Sequence, residues 1–181
     1  MESVARKAVI IALMRALAAA GSWCGETHVQ KAVFMAQSLT GLPTDYNYIL
    51  YKHGPFSFDL RDELATMRAE NLVELIIRSP EYGPAIVPTE NSANVENAAA
   101  GTLAEFQAGI AFVASAVGKK GVAELERLAT ALYISPNLPG GSPVELGARK
   151  LKELKPHISE ADAIAATKEA RELMESASRT G

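Results

Sequence analysis

One side chain of this sequence, His53, could serve as a proton carrier. It lies in the segment Tyr51-Lys52-His53-Gly54-Pro55-Phe56, and histidine changes charge near neutral pH because its unperturbed pKa is about 6.5. A general base also needs an orienting partner and a substrate pocket, and the sequence identifies neither. We therefore expect His53 to be a structural or surface residue, and we predict no catalytic residue.

Metal and cofactor chemistry also finds no support in the residue spacing. His28, His53 and His157 are far apart and show neither HxH nor HExxH spacing. The single cysteine, Cys24, cannot form an internal disulfide, and we expect it to be buried beside Trp23. The chain also lacks a nucleophile signature and a phosphate-binding glycine loop. The sequence therefore predicts no metal, no cofactor and no enzyme; an enzyme with an unrecognised site is the third of three functional alternatives.

Two clusters are better suited to binding than to catalysis. Most aromatic residues are concentrated between Tyr46 and Phe58, where they could form a recognition surface or pack in the core. A candidate partner surface comprises Tyr51, Lys52, His53, Phe56, Phe58 and Arg61. A weaker basic patch, which could hold a phosphate or an acidic partner or simply be a solvated helix face, comprises Arg149, Lys150, Lys152 and Lys155.

The elements that position these residues follow from the apolar periodicity. The N-terminal 90 residues predict a helix over 4–20, a second helix capped by Thr27 with Gln30, and a short strand over 46–51 that Gly54-Pro55 ends. A third helix then runs from a Ser57 cap to about residue 70. Apolar runs at 72–77 and 85–88 predict a hairpin around the turn Ser79-Pro80-Glu81-Tyr82-Gly83. This order is that of a winged helix-turn-helix.

The remaining residues predict a connector and a helical half. The connector covers 91–101, and the helical region 102–181 is expected to pack on the first half or on a dimer partner. Three capping signatures predict helix starts, at Thr102 with Glu105, at Ser142-Pro143 with Glu145, and at Ser159 with Asp162. The fold prediction is mainly α with a small β-hairpin, and the alanine-rich C-terminal stripes favour a helix-mediated homodimer.

Composition limits the partners. The chain has 181 residues, of which 48% are hydrophobic and only 6% aromatic, which favours close-packed helices. Its net charge of −3 gives no global basic field for nucleic acid or anionic lipid. The apolar run 9–14 is interrupted by Arg15 and is shorter than the roughly 20 residues of a membrane span. We therefore expect a cytoplasmic protein whose first helix is buried.

Winged helices often bind DNA through the third helix, but the charge of this helix argues against it. Between Ser57 and Glu70 there are two arginines and four acidic residues, a net charge of −2, whereas phosphate neutralisation supplies most non-specific affinity for a duplex. A DNA-binding regulator remains the alternative function. A dimer could then assemble basic groups from Arg6, Lys7, Arg15 and Lys31.

Several segments resemble a known family. The stretches Thr27-His28-Val29-Gln30-Lys31-Ala32-Val33-Phe34 and Tyr51-Lys52-His53-Gly54-Pro55-Phe56-Ser57-Phe58-Asp59-Leu60 resemble the YwgA-like family of prokaryotic proteins. More distantly they resemble the Panacea or SocA-like antitoxin domain. The resemblance implies a winged-helix-like N-terminal half, a helical C-terminal half and a role in regulation or in neutralising a protein partner. Ala32 and Val33 depart from the leucines of the antitoxin pattern.

Overall fold

The fold of the chain, taken from a computed structural model that describes residues 2–79 and 82–180, is mainly helical. Helices account for 66% of the chain, and the described part holds eight α-helices and two antiparallel strand pairs. The expectation of a mainly α protein with little β-structure is therefore confirmed. Of the turn expected around residues 79–83, Pro80 and Glu81 lie outside the described residues.

The elements alternate between helices and short strand pairs in the first half and are helical in the second. In chain order they are α1 (Ser3–Ala19), α2 (Glu26–Thr40), β1 (Ile49–Tyr51), β2 (Gly54–Phe56), α3 (Phe58–Ala69), β3 (Val73–Ile76), β4 (Ala85–Pro88), α4 (Ser92–Ala98), α5 (Ala100–Val117), α6 (Val122–Ile134), α7 (Val144–Leu154) and α8 (Glu160–Thr180). A 3-10 turn, Ser135–Asn137, extends α6. Strand β1 pairs with β2, and β3 pairs with β4.

Helix α1 lies at the centre of the packing. Its residues from Ala8 to Ile11 are fully buried, as are Leu13, Met14 and Leu17, so it is apolar on nearly all sides, which is typical of a core helix. Helices α2, α4 and α5 and strand β4 pack around it. Helix α6 in turn contacts α2, α7, α8 and β2. One hydrophobic cluster thus contains buried residues from both halves of the chain.

The helices and the β3–β4 pair of the first half lie close to where the sequence predicts them, with three differences, the first being that the strand predicted over 46–51 begins only at Ile49. The Ser57 side chain caps α3 by accepting a hydrogen bond from the Leu60 amide, and Leu60, Leu64 and Met67 are buried as expected. The predicted cap at Thr27 is wrong, because α2 already begins at Glu26 and makes no side-chain cap bond. Gly54-Pro55 does not end the strand region either, since Gly54–Phe56 forms a second strand paired with Ile49–Tyr51.

In the second half the expected connector proves to be helical. Residues 92–98 form α4, which packs on α1, and α5 begins at Ala100. The caps predicted at Thr102 and at Ser142 are therefore wrong: Thr102 lies inside α5, and the Ser142 hydroxyl donates instead to the Pro139 carbonyl. The Ser159 cap is confirmed, because its hydroxyl accepts from the Asp162 amide and donates to the Asp162 carboxylate.

Helix α5 differs from the other long helices in its exposure. With 18 residues, α5 is by length and composition alone long and apolar enough to cross a bilayer, and 22% of these residues are buried. The buried side is formed by Ile110, Val113, Ala114 and Val117. These residues hold α5 against α1 and α2, so the same apolar composition also suits a helix that packs on a core.

Candidate functional site

The β1–β2 hairpin is held to the helical core by side chains that bind its backbone. On α2, the Gln30 amide accepts from the Ser57 N–H at 3.1 Å and donates to the Ser57 carbonyl at 2.9 Å. The Lys31 ammonium donates to the Pro55 carbonyl at 2.9 Å. From the end of α7, Lys155 donates to the Lys52 carbonyl. Buried polar groups on two different helices therefore fix the hairpin in position.

Gly54 allows the β1–β2 hairpin to lie close against α6. Its φ is +88°, a conformation that favours glycine. A Cβ at this position would lie 2.9 Å from the Thr130 Oγ1 and 3.4 Å from the Glu126 carbonyl oxygen of α6. Only a residue without a side chain fits between the hairpin and α6, so the glycine sets both the turn and the packing distance.

Three of the predicted surface residues form an aromatic cluster, which we define as Tyr51, Phe56 and Phe58. Their ring centroids lie 5.1 to 5.8 Å apart, within the range of favourable aromatic pairs. Tyr51 is 53% exposed and Phe58 41% exposed. The Arg61 guanidinium lies 5.0 Å from the Phe58 ring centroid, a cation–π distance, and also pairs with Asp62. The structure thus brings these predicted residues together on the surface.

The two tyrosines that precede β1, Tyr46 and Tyr48, pack in or against the core. Tyr46 is buried, and Tyr48 packs edge to face on the ring of Phe34 with centroids 5.1 Å apart. Both belong to the core or pack against it. Tyr46 and Tyr48 therefore follow the core interpretation, whereas Tyr51 and Phe58 are exposed and Phe56 is half-buried.

His53 lies at the turn between β1 and β2 and has an orienting partner that the sequence did not reveal. Its Nδ1 is 2.9 Å from the Glu126 Oε1, although the two residues belong to different halves of the chain. The His53 side chain is 60% exposed, whereas the Glu126 side chain is 19% exposed. A carboxylate that accepts from Nδ1–H leaves Nε2 available as an acceptor, the arrangement of an oriented imidazole base.

Lys31 lies beneath the hairpin and is not among the residues predicted for the partner surface. It is 1% exposed, and burial lowers the pKa of its ammonium to about 8; the nearby Lys155 ammonium also lowers it, whereas the Glu126 and Glu26 carboxylates oppose the shift. The helical period could have indicated its burial, because Phe34 and Met35, three and four positions on, are core residues. A lysine at such a position is usually taken for a surface residue.

A cavity of about 300 Å³ opens beside these groups. Its lining residues are Glu26, Thr27, Lys31, Tyr51, His53 and Phe56. Four of these side chains, those of Glu26, Lys31, Tyr51 and His53, are ionisable. A cavity that contains a buried lysine together with other ionisable groups is a candidate binding site.

A larger cavity of about 620 Å³ lies between the N-terminus of α2, the β3–β4 hairpin and the α5–α6 loop. Trp23 lines this cavity, and its indole N–H donates a hydrogen bond to the Gly83 carbonyl at 2.8 Å. Lys120, also in the wall, is paired with Glu124 and Glu169. The lining of this cavity is mostly apolar side chains and glycines, with ionisable residues Glu26, His28, Tyr82, Lys119 and Lys120 among them. Within residues 2–79 and 82–180, no group of three or more His, Cys, Asp or Glu side chains could hold a metal ion.

The predicted basic patch does not form one surface. Lys155 is buried at the base of the hairpin, and Lys150 pairs with Glu153 at 2.7 Å. Arg149 and Lys152 share a surface groove of about 420 Å³ with acidic residues of α7 and α8, namely Glu145, Glu153 and Glu160. Lys155 thus lies apart from the exposed residues of the patch, with its ammonium directed to a backbone carbonyl.

The four basic residues considered for DNA binding are engaged within the chain. Arg6 pairs with Glu63 at 2.8 Å, Lys7 with Glu70 at 2.6 Å, and Arg15 with Glu96 at 3.2 Å. Lys31 is buried beneath the hairpin. Each of these cations would have to leave a partner inside the protein before it could neutralise a phosphate.

Comparison with known proteins adds no family assignment. No protein-family model matches the chain, and no curated protein is significantly similar to it. The resemblance to the YwgA-like and antitoxin families stays a prediction.

Proposed function

We propose that this protein is a non-catalytic regulatory module that binds a protein partner through the aromatic cluster. The observation that carries the proposal is the packing of three aromatic rings on the surface of the β1–β2 hairpin and the first turn of α3, with two of the rings more than 40% exposed. Exposed apolar patches of this kind on soluble proteins commonly mark interaction sites.

The composition of the surface suits a protein ligand. Ile49, on the same side of β1 as Tyr51, adds a further apolar side chain that is 48% exposed. Arg61 places a cationic group against the Phe58 ring, and Lys52, next to Tyr51 in the chain, is exposed; aromatic residues with arginine are enriched in protein interfaces. The partner that fits is a protein segment with apolar side chains for the rings and an acidic residue for Lys52.

The hairpin is also rigid enough for recognition. Its backbone is bound by Gln30, Lys31 and Lys155, so the rings are presented without a large ordering cost on association. The distant resemblance to an antitoxin domain supports the same class of function, in which a toxin-like or defence-associated protein would be the partner. The proposal includes a cytoplasmic location and a homodimer formed through the C-terminal helices.

The alternative is a winged-helix DNA-binding regulator. The order of elements from α1 to β4 supports a winged-helix-like N-terminal half, but the net charge of α3 and the internal ion pairs of Arg6, Lys7 and Arg15 argue against duplex binding. Binding to a duplex that weakens steeply with salt would favour this alternative.

The test compares two exposed hydrophobic residues of similar accessibility. Phe58 is 41% exposed in the aromatic cluster, and Met174 is 39% exposed on α8. In affinity capture from the cells that make the protein, Phe58→Ala and Arg61→Glu should each reduce retention of a specific protein, whereas Met174→Ala should not. Thermal unfolding of each variant checks that the fold is kept. Equal retention by the Phe58 and Met174 variants would refute the proposed surface.

A further inference from the structure

The cavity under the β1–β2 hairpin contains groups that a protein-docking surface does not require. It is lined by a buried amine, Lys31, together with an imidazole, His53, and a carboxylate, Glu26. His53 is oriented by Glu126, and Lys155 contributes a second buried ammonium near the first. Tyr51 and Phe56 also line the cavity, and their rings make the opening partly apolar.

Lys31 differs from the other lysines in how its charge is accommodated. Its Nζ donates to a neutral acceptor, the Pro55 carbonyl, and within the described residues no carboxylate lies at ion-pair distance from it. A buried ammonium without a direct counter-ion loses hydration that a single carbonyl does not replace. Burial accordingly lowers the pKa of Lys31 to about 8, so an appreciable share of the amine is neutral under mildly alkaline conditions.

We propose that this cavity binds a small aldehyde and that the Lys31 amine captures it as an imine. The neutral Nζ attacks the carbonyl carbon, a C–N bond forms, and the carbonyl oxygen takes up a proton to give a carbinolamine. The carbinolamine then loses its hydroxyl as water, and the nitrogen loses its remaining proton. One amine and one aldehyde thus give one imine and one water, with no change in oxidation state and no further reactant.

The neighbouring groups suit both proton steps. His53, with Nδ1 beside Glu126, has Nε2 free to take a proton from the attacking nitrogen and then to give that proton to the departing hydroxyl. Glu26, which also lines the cavity, can serve the same transfers through water. Tyr51 and Phe56 would contact the body of the ligand, which favours an aldehyde with an aromatic or other apolar group. This inference does not depend on the proposed docking function.

The experiment traps the imine in the wild-type protein. The folded chain is incubated with benzaldehyde and sodium cyanoborohydride at about pH 7.5, and the modified lysines are identified by peptide mass mapping over time. Lys31 should be modified on the order of tenfold faster than exposed Lys168 on α8, because burial lowers the pKa of the Lys31 amine to about 8. The rate of Lys31 modification should rise with pH to a midpoint near 8.

Three comparisons make the result decisive. Lys31→Arg keeps a cation and a donor for Pro55 but should abolish the fast phase, whereas Lys168→Arg should leave it unchanged. His53→Gln, at an exposed position, should slow the fast phase about tenfold or more without removing it. Unfolding in urea should abolish the preference for Lys31. Modification of Lys31 no faster than that of Lys168 in the folded protein, or a preference that survives unfolding, would overturn the proposal.

Discussion

The side-chain amide of Gln30 forms two hydrogen bonds with the backbone of Ser57, one to its N–H and one to its carbonyl. Gln30 is fully buried, and Ser57 is the residue that caps α3. One side chain of α2 therefore fixes both the exit of the β1–β2 hairpin and the start of the third helix, the place where the aromatic cluster is formed.

Replacing Gln30 by alanine should destabilise the protein strongly. The change leaves two backbone groups of Ser57 without partners in the interior, and each costs about 1–3 kcal/mol. Urea unfolding should show a lower free energy of unfolding for Gln30→Ala. The control is Gln107→Ala on the exposed face of α5, which should stay within about 0.5 kcal/mol of the wild type. Equal effects of the two changes would show that the Gln30–Ser57 bonds contribute little.

A comparison of Gly54→Ala with Gly21→Ala separates the stability cost of backbone strain from the cost of a steric clash. Both glycines have positive φ, +88° and +94°, but a Cβ at Gly21 would meet no atom within 4 Å, whereas at Gly54 it would lie 2.9 Å from Thr130 Oγ1. Gly21→Ala should cost only the conformational penalty, about 1–2 kcal/mol. Gly54→Ala should cost about 1–3 kcal/mol more because of the steric clash.

Thermal or urea unfolding measures this difference. The shift of the hairpin away from α6 should also lengthen the His53–Glu126 contact, which NMR chemical shifts of the His53 ring can follow. If both glycine variants lost the same stability, the contact between Gly54 and Thr130 would be too loose to matter.

His28 should make the stability of the protein decrease under mildly acidic conditions. Burial lowers its pKa below 6.5, although the hydrogen bond to the Lys120 carbonyl, 3.1 Å from Nε2, opposes the shift. Because a carbonyl can only accept, Nε2 carries the proton of the neutral ring. As the pH falls below 6.5, the unfolded state binds a proton before the folded state does, so the free energy of unfolding decreases.

The measurement is unfolding free energy against pH for wild type and two glutamine variants. His28→Gln removes the titrating group and should flatten the decrease below pH 6.5. His157→Gln, the same substitution at an exposed position, is the matched control. A wild-type curve that His28→Gln does not flatten would contradict the prediction.

The sequence predicted those parts of the fold that depend on local patterns. Leu60, Leu64 and Met67 lie on one helical face, and the Ser57 and Ser159 caps are set by residues three positions apart. Thr27 and Thr102 have the same cap spacing but fail, because packing extends α2 and α5 past them toward their N-termini. Tertiary contacts overrode the local preference at these helix ends.

The site was predictable only in part for a similar reason. Tyr51, Phe56 and Phe58 are close in sequence, so their clustering on the surface followed from the turn. The partners of His53 and of the hairpin backbone, Glu126 and Lys155, come from helices more than 70 residues away. Such contacts have no signal in residue spacing, since they depend on how the second half folds back on the first.

The anchoring of the hairpin has a consequence for how the chain can be divided. Lys155 holds the Lys52 carbonyl and Tyr133 the Tyr48 carbonyl, so the turn with the aromatic rings is built jointly by residues before and after position 101. A fragment ending at 101 would keep every residue of the aromatic cluster and yet lose two of the side chains that hold it in place. The first ninety residues therefore contain the hairpin and α3, but they do not supply all of the side chains that hold the hairpin in place.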